Sequence, residues 1–179
     1  MSKKGFIILG VSVLVLLEIS FFVWYYFPRT IDRTFEGVVY QLGKENQWTI
    51  PATIHVHGKF KRSFDGTKTF TGKIEIEEDE ESPVPFEKKE LTVQMTDRKG
   101  FIRYMSSERQ FQPYDDIYVN SDLTELTIIK NTPHPDNPRI GRWNGRDGWM
   151  ISAPAKSRDE ALRISHDLMK DHLRNLLLE

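Results

Sequence analysis

The sequence contains no cysteine among its 179 residues. That absence excludes structural disulfides, thiolate metal sites, iron–sulfur clusters and cysteine nucleophiles. It also excludes a lipid-modified N-terminal cysteine, so any attachment to a membrane would have to come from the polypeptide itself. Without its first 29 residues the chain still has the length of one ordinary domain, which can bury a core without cross-links.

The sequence also lacks a strong excess of positive or negative charge. The chain has 25 Lys and Arg residues against 26 Asp and Glu residues, which gives a net charge of −1. Proteins that bind nucleic acid through its phosphates need a basic surface. We therefore expect no nucleic-acid partner.

Common catalytic motifs are also missing from the sequence. There is no G-x-S-x-G, H-E-x-x-H, P-loop or G-x-G-x-x-G pattern. Asp115 and Asp116 are adjacent, so on a strand they would point to opposite faces rather than converge as a general acid and base. Whether the protein is an enzyme stays open, with a leaning against it, and we predict no catalytic residue and no cofactor.

Two patterns could attract a metal ion. His55 and His57 are spaced so that a strand would present both imidazoles on one face, but no third ligand is identifiable. The acidic run at residues 77–81 lacks the alternating ligands and central glycine of a calcium-binding EF-hand loop. Solvated side chains are the simpler interpretation of both patterns, and we predict no metal site.

A long apolar run is the most conspicuous feature that is present. Residues 6–27 read FIILGVSVLVLLEISFFVWYYF, and at about 1.5 Å per residue a helix of this length crosses a hydrocarbon core of about 30 Å. Lys3 and Lys4 precede the run, and Trp24, Tyr25 and Tyr26 end it. Basic flanks stay in the cytoplasm and aromatic rings prefer the interface.

This pattern predicts a signal-anchor transmembrane helix over residues 6–27. A cleaved signal peptide is the alternative, but its apolar region would be shorter and would end at small residues. We expect a single-pass protein of the cell membrane, with residues 1–5 in the cytoplasm and residues 30–179 forming an extracytoplasmic domain.

Glu18 is the only charged residue of the apolar run. A carboxylate in the middle of a membrane costs roughly 2.5–3.5 kcal/mol in the worst cases on insertion scales. It could be tolerated because the rest of the run is so apolar, or it could pair with a basic residue on another membrane helix. The second interpretation makes Glu18 a hypothetical partner-binding residue.

After residue 30, apolar residues recur at every second position, which indicates strands. Ile54 and Val56 alternate with His55 and His57, and residues 54–78 predict a β-hairpin around the turn Asp65-Gly66. Further strands are expected at residues 91–95, 101–105, 117–120, 126–130 and 149–151.

The C-terminal segment has a helical pattern instead. Ser157 and Glu160 have the spacing of a capping box, and the apolar residues that follow have helical spacing over about 157–178. Strands first and a helix last predict an α+β, β-rich fold. We expect a mainly antiparallel sheet, a sandwich or a partly open barrel, covered by the C-terminal amphipathic helix.

Residues 131–147, NTPHPDNPRIGRWNGRD, are the candidate binding segment. A structureless loop of this length inside a compact domain is uncommon and is often functional. Indole faces and guanidinium groups can stack on ring ligands and grip anions. The candidate ligand-binding residues are Arg139, Arg142, Trp143, Arg146 and Trp149. The alternative is a compact loop whose tryptophans fill the core.

Three functional hypotheses follow. The leading one is a membrane-anchored, extracytoplasmic binding or interaction module of a bacterial cell envelope, whose partner is a cell-wall component or another membrane protein. The second is an envelope hydrolase that acts on glycans or peptidoglycan, which would need two converging carboxylates or a metal. The third is an accessory or immunity-type subunit that acts through its membrane helix and Glu18.

Overall fold

A computed structural model of the chain describes residues 3–65, 67–78, 91–96, 98–103, 115–134, 137–173 and 178. Two helices and ten strands lie in these ranges. In chain order they are α1 (Lys3–Tyr26), β1 (Arg29–Gln41), β2 (Thr49–Arg62), β3 (Lys68–Glu78), β4 (Leu91–Thr96), β5 (Lys99–Arg103), β6 (Asp115–Val119), β7 (Leu126–Lys130), β8 (Thr132–His134), β9 (Asn137–Arg142), β10 (Trp149–Ala153) and α2 (Arg158–Leu173).

Eight of the strands form a closed antiparallel barrel in the order β1-β10-β7-β6-β5-β4-β3-β2. Closure depends on β10, which pairs with β1 through Val39 and Ile151 and with β7 through Ile151 and Ile128. The expectation of a sheet, a sandwich or a partly open barrel is therefore wrong, although the β-rich character is correct. Alternation in a sequence identifies a strand, but it does not say which distant strand pairs with it.

The predicted hairpin over residues 54–78 is confirmed. The pairing of β2 with β3 extends from Ala52 opposite Glu78 to Arg62 opposite Lys68. The turn between them is fixed by the Thr67 N–H, which donates to the Asp65 carboxylate at 2.9 Å.

Apolar side chains fill the barrel. Burial alternates along β2, where Ile50, Ala52, Ile54 and Val56 are buried and point inward. An eight-stranded barrel is just wide enough for its own side chains to occupy the interior or to hold one small ligand. Here an apolar cavity of about 20 Å³ lies near Leu123, whereas pockets for organic ligands usually measure about 300–1,000 Å³.

Helix α2 covers part of the outer barrel wall. The Glu160 N–H donates to the Ser157 hydroxyl at 3.3 Å, which confirms the predicted N-terminal cap. The Glu160 carboxylate reaches back to the Lys156 N–H at 2.8 Å rather than to that of Ser157. Ile164 and Met169 are fully buried in a second apolar cluster between the helix and the barrel wall.

A buried hydroxyl network joins the same two layers. The Tyr40 hydroxyl lies 2.6 Å from the Ser165 hydroxyl on α2 and 3.2 Å from the Ser152 hydroxyl on β10. The Ser152 hydroxyl is in turn 2.8 Å from that of Thr127 on β7. Because buried polar groups need partners, this network fixes where α2 can lie on the wall.

Helix α1 precedes the barrel and meets it at the β2–β3 turn. The Tyr26 ring lies 4.6 Å from the Phe64 ring, and the Arg62 guanidinium lies 4.3 Å above the Tyr25 ring. Many large apolar side chains of α1 are exposed, among them Leu17 at 65%.

The prediction of a membrane anchor over residues 6–27 is contradicted. Among the residues that the structure describes, no helix is long and apolar enough to cross a membrane. The structure therefore does not support the predicted signal-anchor helix, the single-pass topology, the cell-membrane localisation or the cytoplasmic N-terminus.

The long loop predicted at residues 131–147 also has more structure than expected. Strands β8 and β9 form a separate two-stranded sheet inside it, with Thr132 opposite Arg142. The prolines of this segment made the pairing hard to predict from the sequence. Proline lacks a backbone N–H donor, so a run that contains proline is usually not predicted to be a strand.

Candidate ligand-binding site at one end of the barrel

Of the five residues predicted to bind a ligand, the structure describes the side chains of Trp143, Arg146 and Trp149, and these three do not form one surface. Trp149 points into the barrel, where it is 8% exposed, and Trp143 packs half-buried against the cluster beneath α2. Arg146 is exposed. The side chains of Arg139 and Arg142 lie outside the described residues. The alternative interpretation, in which the tryptophans fill the core, therefore accounts for Trp149.

Trp149 nevertheless contributes to a site that the sequence did not reveal. The Trp48 ring lies 4.8 Å from the Trp149 ring, centroid to centroid, with a tilt of 49°. Trp48 keeps 39% of its surface exposed. The pair stands at the barrel end where β1 finishes and β2 and β10 begin, so an indole face is presented at that opening.

The connection between β1 and β2, which carries Trp48, is held by hydrogen bonds. The Asn46 side chain donates to the Leu42 carbonyl at 2.8 Å, and the Leu42 N–H donates to the Gly148 carbonyl at 3.0 Å. Arg158 of α2 donates to the Gly43 carbonyl at 3.0 Å. Gly43 has φ +110°, a backbone conformation that side-chain-bearing residues rarely adopt. These contacts fix the backbone of the connection a few residues before Trp48.

An ion pair lies beside the tryptophans. Lys130 is the register partner of Trp149 on the neighbouring strand. Its ammonium lies 3.5 Å from the Asp115 carboxylate, and the two side chains are 20% and 11% exposed. The Asn131 N–H donates to the other Asp115 oxygen at 2.9 Å. We call Trp48, Trp149, Asp115 and Lys130 the aromatic mouth.

Two opposing influences act on Asp115. Burial raises the pKa of its carboxyl, while the Lys130 ammonium and the Asn131 N–H oppose that rise, and the net direction is upward. The paired carboxylate and ammonium cancel each other's charge, so the mouth offers a donor and an acceptor without a net local charge.

Asp115 and Asp116 point to opposite sides of the barrel wall, as their adjacency predicted. Asp115 pairs with Lys130 on the inner side, and Asp116 lies 3.5 Å from Lys99. They cannot serve together as the acid and base of a glycoside hydrolase, whose two carboxyl groups must face one cleft.

The candidate metal ligands have protein partners on the outer wall. His55 lies 3.0 Å from the Thr34 hydroxyl, and His57 lies 3.4 Å from the Asp32 carboxylate. Over the described ranges, no three His, Asp or Glu side chains gather in a way that could hold a metal ion. Residues 79–81 of the acidic run lie outside those ranges.

Glu18, the hypothetical partner-binding residue, is exposed on α1. Its role stays a hypothesis.

Sequence reasoning missed Trp48, Asp115 and Lys130 as members of a site. Trp48 directly precedes β2, which begins at Thr49, whereas the predicted hairpin began only at Ile54. No local sequence pattern indicated the ion pair, because Asp115 and Lys130 meet only through the pairing of β6 with β7.

The fold and the site together define a class of protein, an up-and-down antiparallel barrel with a side-chain-filled interior and an aromatic site at one end. Comparison of the chain with family models, curated proteins and solved structures found no match in any of the three.

Proposed function

We propose that the protein is a non-enzymatic binding module that holds its ligand at the aromatic mouth. The observation that carries the proposal is the indole of Trp48, which stays 39% exposed while it rests against Trp149. Tryptophans that are exposed on a rigid support are typical centres of binding energy in recognition surfaces.

The ligand is expected at the opening of the barrel rather than inside it. The interior is occupied by apolar side chains, and the cavity of about 20 Å³ near Leu123 has room for about one water molecule. The aromatic mouth, in contrast, combines an exposed ring with a donor and an acceptor, which is the mixture that orients a bound ligand.

Rigidity of the β1–β2 connection supports the same proposal. Ordering a flexible loop on binding costs free energy, and a loop that is already fixed avoids that cost. The hydrogen bonds of Leu42, Gly43 and Asn46 fix the backbone of the connection a few residues before Trp48.

The test is calorimetric titration of the full chain with a panel of probes. The panel contains neutral tetrasaccharides, an anionic tetrasaccharide and a short tryptophan-containing peptide. Because stacking on an aromatic ring is worth about 1–3 kcal/mol, Trp48→Ala should bind about 5- to 150-fold more weakly than the parent to whichever probe binds.

Phe64→Ala is the matched control. Phe64 is an aromatic residue that is 85% exposed at the opposite end of the barrel, so its loss should leave binding unchanged. The proposal is rejected if the parent binds no probe, or if Trp48→Ala binds as tightly as the parent.

A further inference from the structure

We infer that the ligand of the aromatic mouth is a neutral saccharide. This inference rests on the proposed function, since it names the chemical class that the binding module takes. It comes from three features of the mouth, which are an exposed aromatic ring, an ion pair whose two charges cancel, and Trp149 as the common neighbour of both.

The exposed Trp48 ring favours a ligand that has a flat apolar face. The free side of the Trp48 indole is a flat apolar surface with a negative quadrupole at its centre. A pyranose ring presents a flat face of C–H groups whose hydrogens carry slight positive charge. Such a face can stack on the indole while its hydroxyl groups project sideways from the edge of the ring.

The ion pair selects for hydroxyl groups. An ionised Asp115 can only accept hydrogen bonds, and the Lys130 ammonium can only donate them. A hydroxyl group both donates and accepts, so neighbouring hydroxyls of one sugar can bond to both residues at once. Both side chains keep an exposed edge, at 11% and 20%, through which this can happen.

The compensated charges argue against an ionic ligand. An anion would compete with Asp115 for Lys130, and a cation would compete with Lys130 for Asp115. Either would separate the Lys130 ammonium from the Asp115 carboxylate, and breaking an ion pair in a largely buried position is costly. A neutral ligand can bind while the pair at 3.5 Å stays intact.

Trp149 is a common neighbour of the ring and the ion pair. Its ring lies 4.8 Å from that of Trp48, centroid to centroid, and Lys130 is its register partner on the adjacent strand. Neighbouring strands are about 4.8 Å apart. A saccharide that stacks on the indole can therefore extend past Trp149 and direct hydroxyls to the ion pair.

The experiment titrates the full chain with cellotetraose, maltotetraose and tetra-N-acetylchitotetraose at low and high ionic strength. We expect saturable binding of at least one of them, with a dissociation constant that changes less than about twofold between 0.05 and 0.5 M NaCl, because salt screens only charged partners. Binding should weaken at least about fivefold in Trp48→Ala. It should weaken less in Trp48→Phe, which keeps a ring.

A double variant tests the ion pair. Asp115→Asn/Lys130→Gln removes both charges together, so no lone buried charge remains, and circular dichroism checks that the barrel still folds. We expect weaker saccharide binding, since the charge-assisted hydrogen bonds are lost.

The outcomes separate the two proposals. If the tryptophan-containing peptide or the anionic tetrasaccharide binds in a Trp48-dependent manner and the neutral saccharides do not, the saccharide inference fails while the binding module stands. If no probe binds, both fail. If a neutral saccharide binds equally well to the folded double variant, the proposed role of the ion pair is overturned.

Discussion

Tyr40 is the residue at which the barrel wall and α2 share hydrogen bonds. Burial raises the pKa of its hydroxyl to about 12 from an ordinary value of 10.0, against the opposing effect of Ser152 and Ser165. Because the folded-state pKa lies above the unfolded one, the stability that this neutral phenol contributes is fully present below about pH 10. It is lost as the pH rises toward about 12.

The variant Tyr40→Phe tests this network. At neutral pH we expect the free energy of unfolding to fall by about 1 kcal/mol, because Ser152 and Ser165 keep their other partners. Urea unfolding measures the change. The difference between the parent and the variant should shrink between pH 10 and 12, and a difference that stays constant over that range would contradict the assignment. Tyr25→Phe, outside the network, is the control.

Gly58 shows how closely the inner wall is packed. It faces Gly72 across the β2–β3 pair, and a Cβ added to Gly58 would lie 2.6 Å from the end of the Phe70 ring and 2.7 Å from the Gly72 Cα. Two facing glycines therefore make the space that the Phe70 ring occupies.

We expect Gly58→Ala to lower the free energy of unfolding by about 1–3 kcal/mol through overpacking. Gly10→Ala is the matched control, since a Cβ there would meet nothing within 4 Å. Combining Gly58→Ala with Phe70→Leu should recover part of the loss. If Gly58→Ala unfolds at the same urea concentration as the parent, the packing described here is wrong.

Among the helices and strands, α2 is the one whose formation is best explained by residues close to it in the sequence. Its first turn is capped by Ser157, whose hydroxyl accepts from the Glu160 N–H. We expect Ser157→Ala to destabilise the protein by about 1 kcal/mol, and Ser157→Asp to retain most of the stability because aspartate caps equally well. Urea unfolding of the three proteins distinguishes them. Equal losses for alanine and aspartate would show that capping is not the cause.

The other elements differ in how far the sequence predicted them. The β2–β3 hairpin was predictable because alternation and a turn dipeptide are local properties. The β8–β9 pair was not, because three prolines and two glycines make residues 131–147 read as a loop. Apolar length, the basic flank and the terminal aromatic residues predicted a membrane span over residues 6–27, and the described helix does not support that prediction.

At the scale of the whole molecule, closure removes both edges of the sheet. Strands β1 and β10 would be the exposed edges of an open sheet, yet they pair through Val38 opposite Ser152 and three further positions up to Gln41 opposite Trp149. Unpaired edge strands can pair with strands of other molecules and aggregate, so closure protects β1 and β10.

Hydrogen exchange tests closure directly. We expect the backbone amides of the paired segment of β10 to exchange as slowly as those of central strands such as β7. Native-state exchange measured by nuclear magnetic resonance gives this comparison residue by residue. Amides that alternate between fast and slow exchange along β10, with slow exchange throughout β7, would indicate an open edge and contradict the closed barrel.

The sequence by itself determined what depends on neighbours along the chain, such as the β2–β3 hairpin, the cap at Ser157 and the exclusion of cysteine chemistry. Side-chain periodicity and turn chemistry act over a few residues, so they can be read locally. Only the tertiary structure decided that β10 closes the barrel, that Trp48 rests on Trp149 and that Asp115 meets Lys130. These contacts join residues that are distant or on different strands, and only strand pairing and packing select among the possible partners.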